Sequence, residues 1–115
     1  MSEDVDRAEV LRLLDDEYAR AILTATSREP MSAKELAAAI DASPPTVYRR
    51  VEDLQAAGLL VEELQYESSG HHYGVYRIAV DRVTVAFEDG EYTVRVEAVE
   101  ETTADRFTRL YEGLR

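Results

Sequence analysis

The chain of 115 residues carries 24 acidic and 13 basic residues, a formal net charge of −11, and is 45% hydrophobic. This length and apolar content predict one globular domain, or two small lobes that share one core, and the absence of cysteine excludes disulfides and thiolate metal sites. No apolar run approaches the roughly 20 residues that cross a bilayer, and the acidic N-terminus lacks the order of a secretion signal. We therefore expect a cytoplasmic protein that holds no cofactor.

The charged residues have an unusual composition, because Lys34 is the single lysine among the 13 basic residues. Abundant Asp and Glu with few lysines is typical of a salt-rich cytoplasm, where the Debye length falls to roughly 3 Å at 1 M and self-repulsion is damped. We interpret the composition as halophilic. An ordinary acidic protein from a low-salt cell is the alternative.

The first 30 residues predict two helices. Asp15 and Asp16 indicate a break between them and a new N-terminus, and Pro30 closes the second helix because the residue before a proline avoids the α region. Apolar residues recur at helical spacing in both segments. The residues expected on these apolar stripes are Ala8, Val10, Leu11, Leu13 and Leu14 in the first helix, and Tyr18, Ala21, Ile22 and Ala25 in the second.

Two further helices follow, joined by the short connection "DAS". Ser32 and Glu35 form a capping box at the start of the third helix. Ser43 caps the fourth helix and Gly58 ends it in the C′ position. The residues expected to face inward are Leu36, Ala37 and Ile40 in the third helix, and Val47, Val51 and Leu54 in the fourth.

The pattern then changes to the period of two that is typical of strands. "LLVEELQY" and "YGVYRIAV" predict a pair of strands connected by "ESSGHH". In "VTVAFEDGEYTVRV", Asp89-Gly90 predicts a two-residue type I′ turn between two more strands. That register places Val83, Val85 and Phe87 opposite Val96, Val94 and Tyr92 on one apolar face. The tyrosines Tyr66, Tyr73 and Tyr76 are expected to fill a small core rather than to stack on a ligand.

A closing amphipathic helix is predicted at 102–114, with Thr102 or Thr103 as its cap. Its stripe follows the i, i+3, i+4, i+7 spacing. The stripe could cap the monomer, or it could bury against a second copy together with the N-terminal stripe, and a C2 dimer is the preferred interpretation. The residues expected to form the dimer contact are Val10, Leu14, Phe107, Leu110, Tyr111 and Leu114.

Two short helices joined by about three residues and followed by a β-hairpin are the parts of a winged helix-turn-helix. The stretch "PMSAKELAAAIDASPPTVYRRVEDLQAAGLLVEEL" resembles the ArsR-like winged helix-turn-helix regulators, particularly the small versions found in halophilic archaea. The residues that carry the resemblance are Ser32, Glu35, Leu36 and Ala37, then Ser43, Thr46, Val47 and Arg49, then Leu54, Gly58 and Leu59.

The resemblance covers roughly residues 10–80 and implies a homodimer that binds pseudo-palindromic double-stranded DNA, with the fourth helix (43–57) in the major groove. We therefore expect an α+β fold in which 1–115 is a single winged helix-turn-helix domain with an additional β-hairpin (82–97) and the C-terminal amphipathic helix. The hairpin is interpreted as support for the dimer or for an effector site. Metal-sensing members use cysteines near the helix pair, so metal-regulated release does not carry over to this chain.

The outer face of the fourth helix is the candidate DNA contact. At 100° per residue, Pro45, Thr46 and Arg49 lie opposite the buried stripe, and residues 42–51 carry a charge of +2 with no acid. Arginine suits guanine O6 and N7, whereas hydroxyls suit phosphate oxygens. The alternative is that Arg49 and Arg50 only pair with surface acids such as Glu52 and Asp53. The expected DNA-contacting residues are Ser32, Lys34, Ser43, Pro45, Thr46, Tyr48, Arg49, Arg50, Ser69, His71 and His72.

Other site chemistries find little support in the sequence. His71 and His72 are adjacent on a strand and therefore point to opposite faces, so a wing tip near the DNA backbone is favoured over a metal site. There is no glycine-rich phosphate loop, nucleophile elbow or HExxH, and we expect no catalysis. The leading hypothesis is a sequence-specific DNA-binding regulator. The alternative is a winged-helix protein-interaction module that has lost DNA binding, which the −11 charge favours.

Overall fold

The computed structural model describes residues 6–99, and the C-terminal helix expected at 102–114 lies outside them. Within this range the chain forms four helices and then four strands. No helix in the described part is long and apolar enough to cross a membrane. The elements are α1 (Arg7–Asp15), α2 (Glu17–Thr26), α3 (Ala33–Ile40), α4 (Pro44–Ala56), β1 (Leu60–Tyr66), β2 (His72–Ile78), β3 (Val80–Glu88) and β4 (Glu91–Ala98).

The predicted break at Asp16 is confirmed, because this residue ends α1 and caps α2 by accepting a hydrogen bond from the Ala19 N–H at 2.8 Å. The predicted stripe of α1 is partly wrong. Val10 and Leu13 are the buried residues, whereas Ala8 is exposed. Apolar residues stand on both sides of this helix, so periodicity alone does not fix which side packs. In α2 the buried residues are Ala19, Ile22, Leu23 and Thr26.

The ends of α3 and α4 follow their local sequence. Both halves of the predicted capping box at the start of α3 are present. Asp41 ends α3 in the left-handed region, with φ 54° and ψ 52°. After α4, the backbone N–H groups of Gly58 and Leu59 donate to Gln55 and Leu54, which is the Schellman pattern with glycine at C′, φ 78°. The connection between α3 and α4, residues 41–43, is therefore short, and Asp41 and Ser43 fix its two ends.

The first hairpin, β1–β2, pairs Leu60 with Ile78 and Tyr66 with His72 at its two ends. The chain before α3 adds an isolated bridge, in which Met31 exchanges two backbone hydrogen bonds with Tyr76. The expectation that Tyr66, Tyr73 and Tyr76 all fill the core is correct only for Tyr76. Tyr66 is 73% exposed and Tyr73 is 44% exposed, because the outer half of the hairpin extends beyond the helices. The predicted second strand ends two residues early, at Ile78, and Val80 begins β3 instead.

The second hairpin, β3–β4, has the predicted register, with Val83 opposite Val96, Val85 opposite Val94 and Phe87 opposite Tyr92. Asp89 and Gly90 both have positive φ, 54° and 79°, as a type I′ turn requires. Burial falls toward the turn: Val83 and Val96 pack against the core, Val94 is buried, and Phe87 is exposed. The Arg7 side chain reaches this hairpin and donates to the Tyr92 carbonyl at 2.6 Å.

The core lies between the four helices and the base of both hairpins. Its helical members include Leu13, Ile22, Leu36 and Leu54, all with no exposed surface. The predicted inward stripe of α4 is confirmed, because Val47 and Leu54 are fully buried and Val51 is 1% exposed. This stripe fixes α4 against α2 and α3 and leaves its opposite side free. Ala37 and Ile40 of α3 are half-buried against the same core.

Candidate nucleic-acid interface

The start of α4 presents a polar face to solvent. Because the buried stripe holds the other side, Ser43, Pro45 and Arg49 are exposed and Thr46 is half-buried. Ser32 and Lys34, at the start of α3, are half-buried and exposed respectively. These expected DNA-contacting residues thus lie at the surface of α3 and α4.

The hydroxyl groups at these helix starts already take part in hydrogen bonds within the chain. The Ser43 hydroxyl, the predicted cap of α4, accepts from the Thr46 N–H at 3.4 Å and donates to the Thr46 hydroxyl at 2.9 Å. The Ser32 hydroxyl accepts from the Glu35 N–H at 3.1 Å. A hydroxyl has one proton to donate. The protons of Ser32 and Thr46 are therefore the ones left for an acceptor such as a phosphate oxygen.

Arg50 is held against the protein by an ion pair with Asp16, the residue that caps α2. Its Nε donates to Asp16 Oδ2 at 2.8 Å, and both side chains are about three-quarters covered, at 24% and 23% exposure. This hydrogen bond is the main cause of the lowered pKa of Asp16 and of the raised pKa of Arg50. The alternative of pairing with an acid thus holds for Arg50, although the partner is Asp16 rather than Glu52 or Asp53.

The local charge of α4 changes once its neighbours are counted. Asp16 offsets Arg50, so the +2 charge read from residues 42–51 becomes +1, carried by Arg49. On the next turn, Asp53 Oδ2 lies 3.5 Å from Arg12 Nη2 of α1, but Arg12 is already paired with Glu9 at 2.7 Å, so this contact does not cancel the negative charge of Asp53. Arg49 forms no ion pair with any residue from 6 to 99. Arg49 is therefore the arginine on the exposed face of α4 whose guanidinium has no ion-pair partner among the described residues.

Tyr48, on α4, is 54% exposed. On β2, burial first and then the charges of Glu62 and Tyr48 raise the pKa of Tyr76.

The wing tip carries the remaining expected contacts. Ser69 Oγ lies 2.9 Å from His71 Nδ1, and the His72 ring packs on Tyr66 with centroids 5.6 Å apart. The two imidazoles thus have separate neighbours, as strand geometry predicts. No group of three or more His, Cys, Asp or Glu side chains that could hold a metal occurs in the described part of the chain. Glu67 lies at the same tip and brings negative charge to it.

Of the residues expected at the dimer contact, the structure describes Val10 and Leu14, and both are buried or half-buried within the chain. Val10 is 1% exposed and Leu14 is half-buried against the core, so the N-terminal stripe packs mainly within its own chain. This corrects the expectation for Val10. The other expected residues, Phe107, Leu110, Tyr111 and Leu114, lie outside the described residues.

Sequence reasoning missed two residues that set the electrostatics of α4. The sequence predicts Asp16 only as a helix break and predicts no role for Arg12. The Asp16–Arg50 contact joins residues 34 positions apart, so no local spacing indicates it. No other feature of the sequence selects Asp16 as the partner of Arg50.

Comparison with known families agrees with the arrangement of these helices. Residues 13–63 match the family described as "Helix-turn-helix domain", a region that contains α2, α3, α4 and the start of β1. No curated protein matches the chain. The four helices with the following hairpins are consistent with a winged helix-turn-helix, and a helix-turn-helix domain suggests a DNA-binding regulator.

Proposed function

We propose, from the helix-turn-helix domain at residues 13–63, that the protein is a sequence-specific transcription regulator of the ArsR-like type that binds double-stranded DNA as a homodimer. In this proposal α4 enters the major groove. The observation that carries it is the exposed, acid-free start of α4, where Arg49 has no ion-pair partner among the described residues.

The contacts are assigned by chemistry. Arg49 donates to guanine O6 and N7, the geometry for which a guanidinium is suited. The Thr46 and Ser32 hydroxyl protons and the Lys34 ammonium go to phosphate oxygens, which set the position of the domain on the duplex. Pro44 and Pro45 remove two backbone donors from the start of α4, so side chains make the contacts there. Tyr48, Ser43 and Pro45 border this strip.

The wing tip makes the outer contact in this proposal. Ser69 and His71 are exposed on the loop between β1 and β2, and His72 is exposed at the start of β2. Glu67 beside them repels phosphates, so we assign the wing a smaller share of the binding free energy than α4. Arg50 is assigned to holding α4 against Asp16 rather than to DNA.

The homodimer places two α4 helices on half-sites about 34 Å apart, one turn of the duplex. The second hairpin offers a surface for this contact, because Phe87 is 80% exposed and Val85 is 39% exposed on its apolar face. An exposed phenylalanine on a two-stranded sheet is the kind of anchor that protein interfaces bury.

The charge of −11 shapes how binding responds to salt, and it supports a halophilic setting. Ordinary basic DNA-binding proteins lose affinity steeply as salt rises, through counterion release. Here acidic surfaces face DNA phosphates, so cations must screen or bridge them. We expect a shallow or inverted salt dependence between about 0.2 and 2 M KCl, a range set by the fall of the Debye length.

The test selects DNA fragments at molar KCl and measures their affinity by fluorescence polarisation. Arg49→Ala is expected to weaken binding about 5- to 150-fold per half-site, as loss of one bidentate base contact costs about 1–3 kcal/mol and the homodimer loses one contact in each half-site. Arg95→Ala is the matched control, because Arg95 is an exposed arginine on the face of the second hairpin opposite to Val94, away from the proposed dimer surface. Parental affinity in Arg49→Ala would show that α4 is assigned wrongly. Failure to select any DNA, with a protein partner retained instead, would favour the interaction-module alternative.

A further inference from the structure

The two edges of the second hairpin differ in what covers them. In a two-residue type I′ hairpin the residues that flank the turn, Glu88 and Glu91, exchange backbone hydrogen bonds, and bonded and non-bonded pairs alternate from there. The backbone groups of every second residue therefore point away from the hairpin. On β4 one such group, the Tyr92 carbonyl, accepts from Arg7 of α1 at 2.6 Å, and the next outward residue, Val94, is buried.

The outer edge of β3 is the open one, because no described strand pairs with it. Sheets protect their edges with charges, prolines or bulges. Residues 83–87, "VTVAF", contain no charge and no proline, and the irregularity of the hairpin lies before them, between Val80 and Arg82. Such an edge is a template for the addition of another strand. The residues whose backbone groups point outward from β3 are Val83, Val85 and Phe87.

We propose that β3 pairs antiparallel with β3 of a second copy, centred on Val85, so that the two hairpins form one four-stranded sheet. The backbone groups of the outward-pointing residues then bond across the two-fold axis, with Val85 opposite Val85 of the second copy. This inference rests on the homodimer of the proposed function and names the contact that forms it. It does not depend on whether the dimer binds DNA.

The charges at the two ends of residues 83–87 select this register. When the pairing is centred on Val85, Arg82 lies opposite Glu88 of the second copy, and symmetry repeats the pair. Within its own chain Arg82 forms no ion pair with a described residue, and Glu88 lies opposite Glu91, a like-charge pair that destabilises a hairpin. Symmetric pairings centred on residue 84 or 86 place Arg82 and Glu88 opposite uncharged residues instead.

The same register covers the exposed phenylalanine of the hairpin. A two-fold axis perpendicular to the sheet keeps the apolar faces of both hairpins on one side. Phe87, which is 80% exposed, then lies opposite Val83 of the second copy, and Val83 packs against the core of its own chain. Because the strands run in opposite directions, the turn of each hairpin lies beside the base of the other. The two bases are about 34 Å apart, the length of about ten residues of strand, so the helical parts attach at opposite ends of the sheet.

The test uses the absence of cysteine in the natural chain. Full-length Thr84→Cys and Ala86→Cys are oxidised mildly at molar KCl, each alone and as an equal mixture. In the proposed register Thr84 lies opposite Ala86 of the second copy in a non-hydrogen-bonded pair, with Cα atoms about 4.5 Å apart, which a disulfide can bridge. Two copies of the same residue are about 7–8 Å apart on the diagonal, which is too far. The mixture is expected to give a disulfide-linked dimer with one chain of each variant, identified by mass, at several times the yield of either variant alone.

Two controls separate this pairing from chance collision and from loss of the fold. A mixture of Ala86→Cys with Arg95→Cys should give no such dimer, because β4 lies about 10 Å from β3 of the second copy, on the far side of its own β3. Phe87→Ser should weaken the dimer about tenfold or more in light scattering of diluted protein. Leu64→Ser, at a 56% exposed position on the first hairpin, should leave the dimer unchanged.

Each other outcome overturns the pairing. A dimer in light scattering that gives no excess of the mixed disulfide would overturn the β3 contact and leave the proposed homodimer standing. Equal disulfide yields from the mixture and from the single variants would show a different register or random contact. A monomer at every concentration would overturn both the pairing and the homodimer, whereas DNA binding is judged separately by the selection experiment with Arg49→Ala.

Discussion

The ion pair between Asp16 and Arg50 offers a direct measure of how α4 is held, and Asp16→Asn isolates its charge. Asparagine caps a helix about as well as aspartate, so the hydrogen bond from the Ala19 N–H is kept. What is lost is the negative charge opposite Arg50 Nε, at 2.8 Å. Asp16→Ala removes the cap as well and is the more severe change.

The magnitude follows from the partial burial of the pair. Exposed ion pairs contribute about 0–1 kcal/mol, whereas hydrogen bonds to charged groups in covered positions contribute about 1.5–3 kcal/mol. Side chains that are 24% and 23% exposed stand between these cases. We expect Asp16→Asn to lower the free energy of unfolding by about 1 kcal/mol, and Asp16→Ala by about 2 kcal/mol because the lost cap adds about 1 kcal/mol.

The assay is urea denaturation at fixed KCl, followed by circular dichroism, on a double-mutant cycle of Asp16→Asn with Arg50→Met. We expect a coupling energy of about 1 kcal/mol, since either single change already removes the pair. Asp15→Asn is the matched control: this neighbouring carboxylate is exposed and forms no ion pair with a described residue, so its effect should stay within about 0.5 kcal/mol. Single losses that simply add in the double variant would refute the reasoning.

Two further predictions concern single residues. The pKa of Asp16 is lowered below its ordinary value of 3.8, chiefly by the Arg50 hydrogen bond. The contribution of ionised Asp16 to stability is therefore present above about pH 4 and is lost as pH falls further. When urea midpoints are measured against pH, they should drop less steeply in that acid range for Asp16→Asn than for the parent. Asp41 has φ 54° at the end of α3, so Asp41→Gly should leave the midpoint of thermal unfolding unchanged or slightly raised. Asp41→Val should lower the free energy of unfolding by about 1–2 kcal/mol, because a β-branched residue is strained in this conformation. Equal effects of the two changes would contradict the left-handed conformation.

Some features of the proposed interface can be predicted from the sequence, and others cannot. The buried side of α4 and the exposed position of Arg49 follow from a 3.6-residue period around Val47, so both were available without a structure. The fate of Arg50 was not, because its neighbour in the sequence, Arg49, has the same chemistry. Only the packing of α4 beside the start of α2 distinguishes the two arginines.

The sequence by itself determined the features whose partners lie within a few residues. These include the Ser32–Glu35 capping box, the Ser43 cap ahead of two prolines, and the Asp89-Gly90 turn with its register. Each depends on backbone geometry and on hydrogen bonds that close over two to five residues, so residue type and spacing suffice.

The tertiary structure decided what depends on distant neighbours. It chose Val10 and Leu13 as the buried side of α1, although the sequence offers apolar residues on more than one side. It left Tyr66 and Phe87 in solvent, because both hairpins extend beyond the helices that could cover them. It also reduced the charge of the α4 start from +2 to +1 by bringing Asp16 to Arg50. Burial and pairing of this kind are properties of the assembled core, which local spacing does not specify.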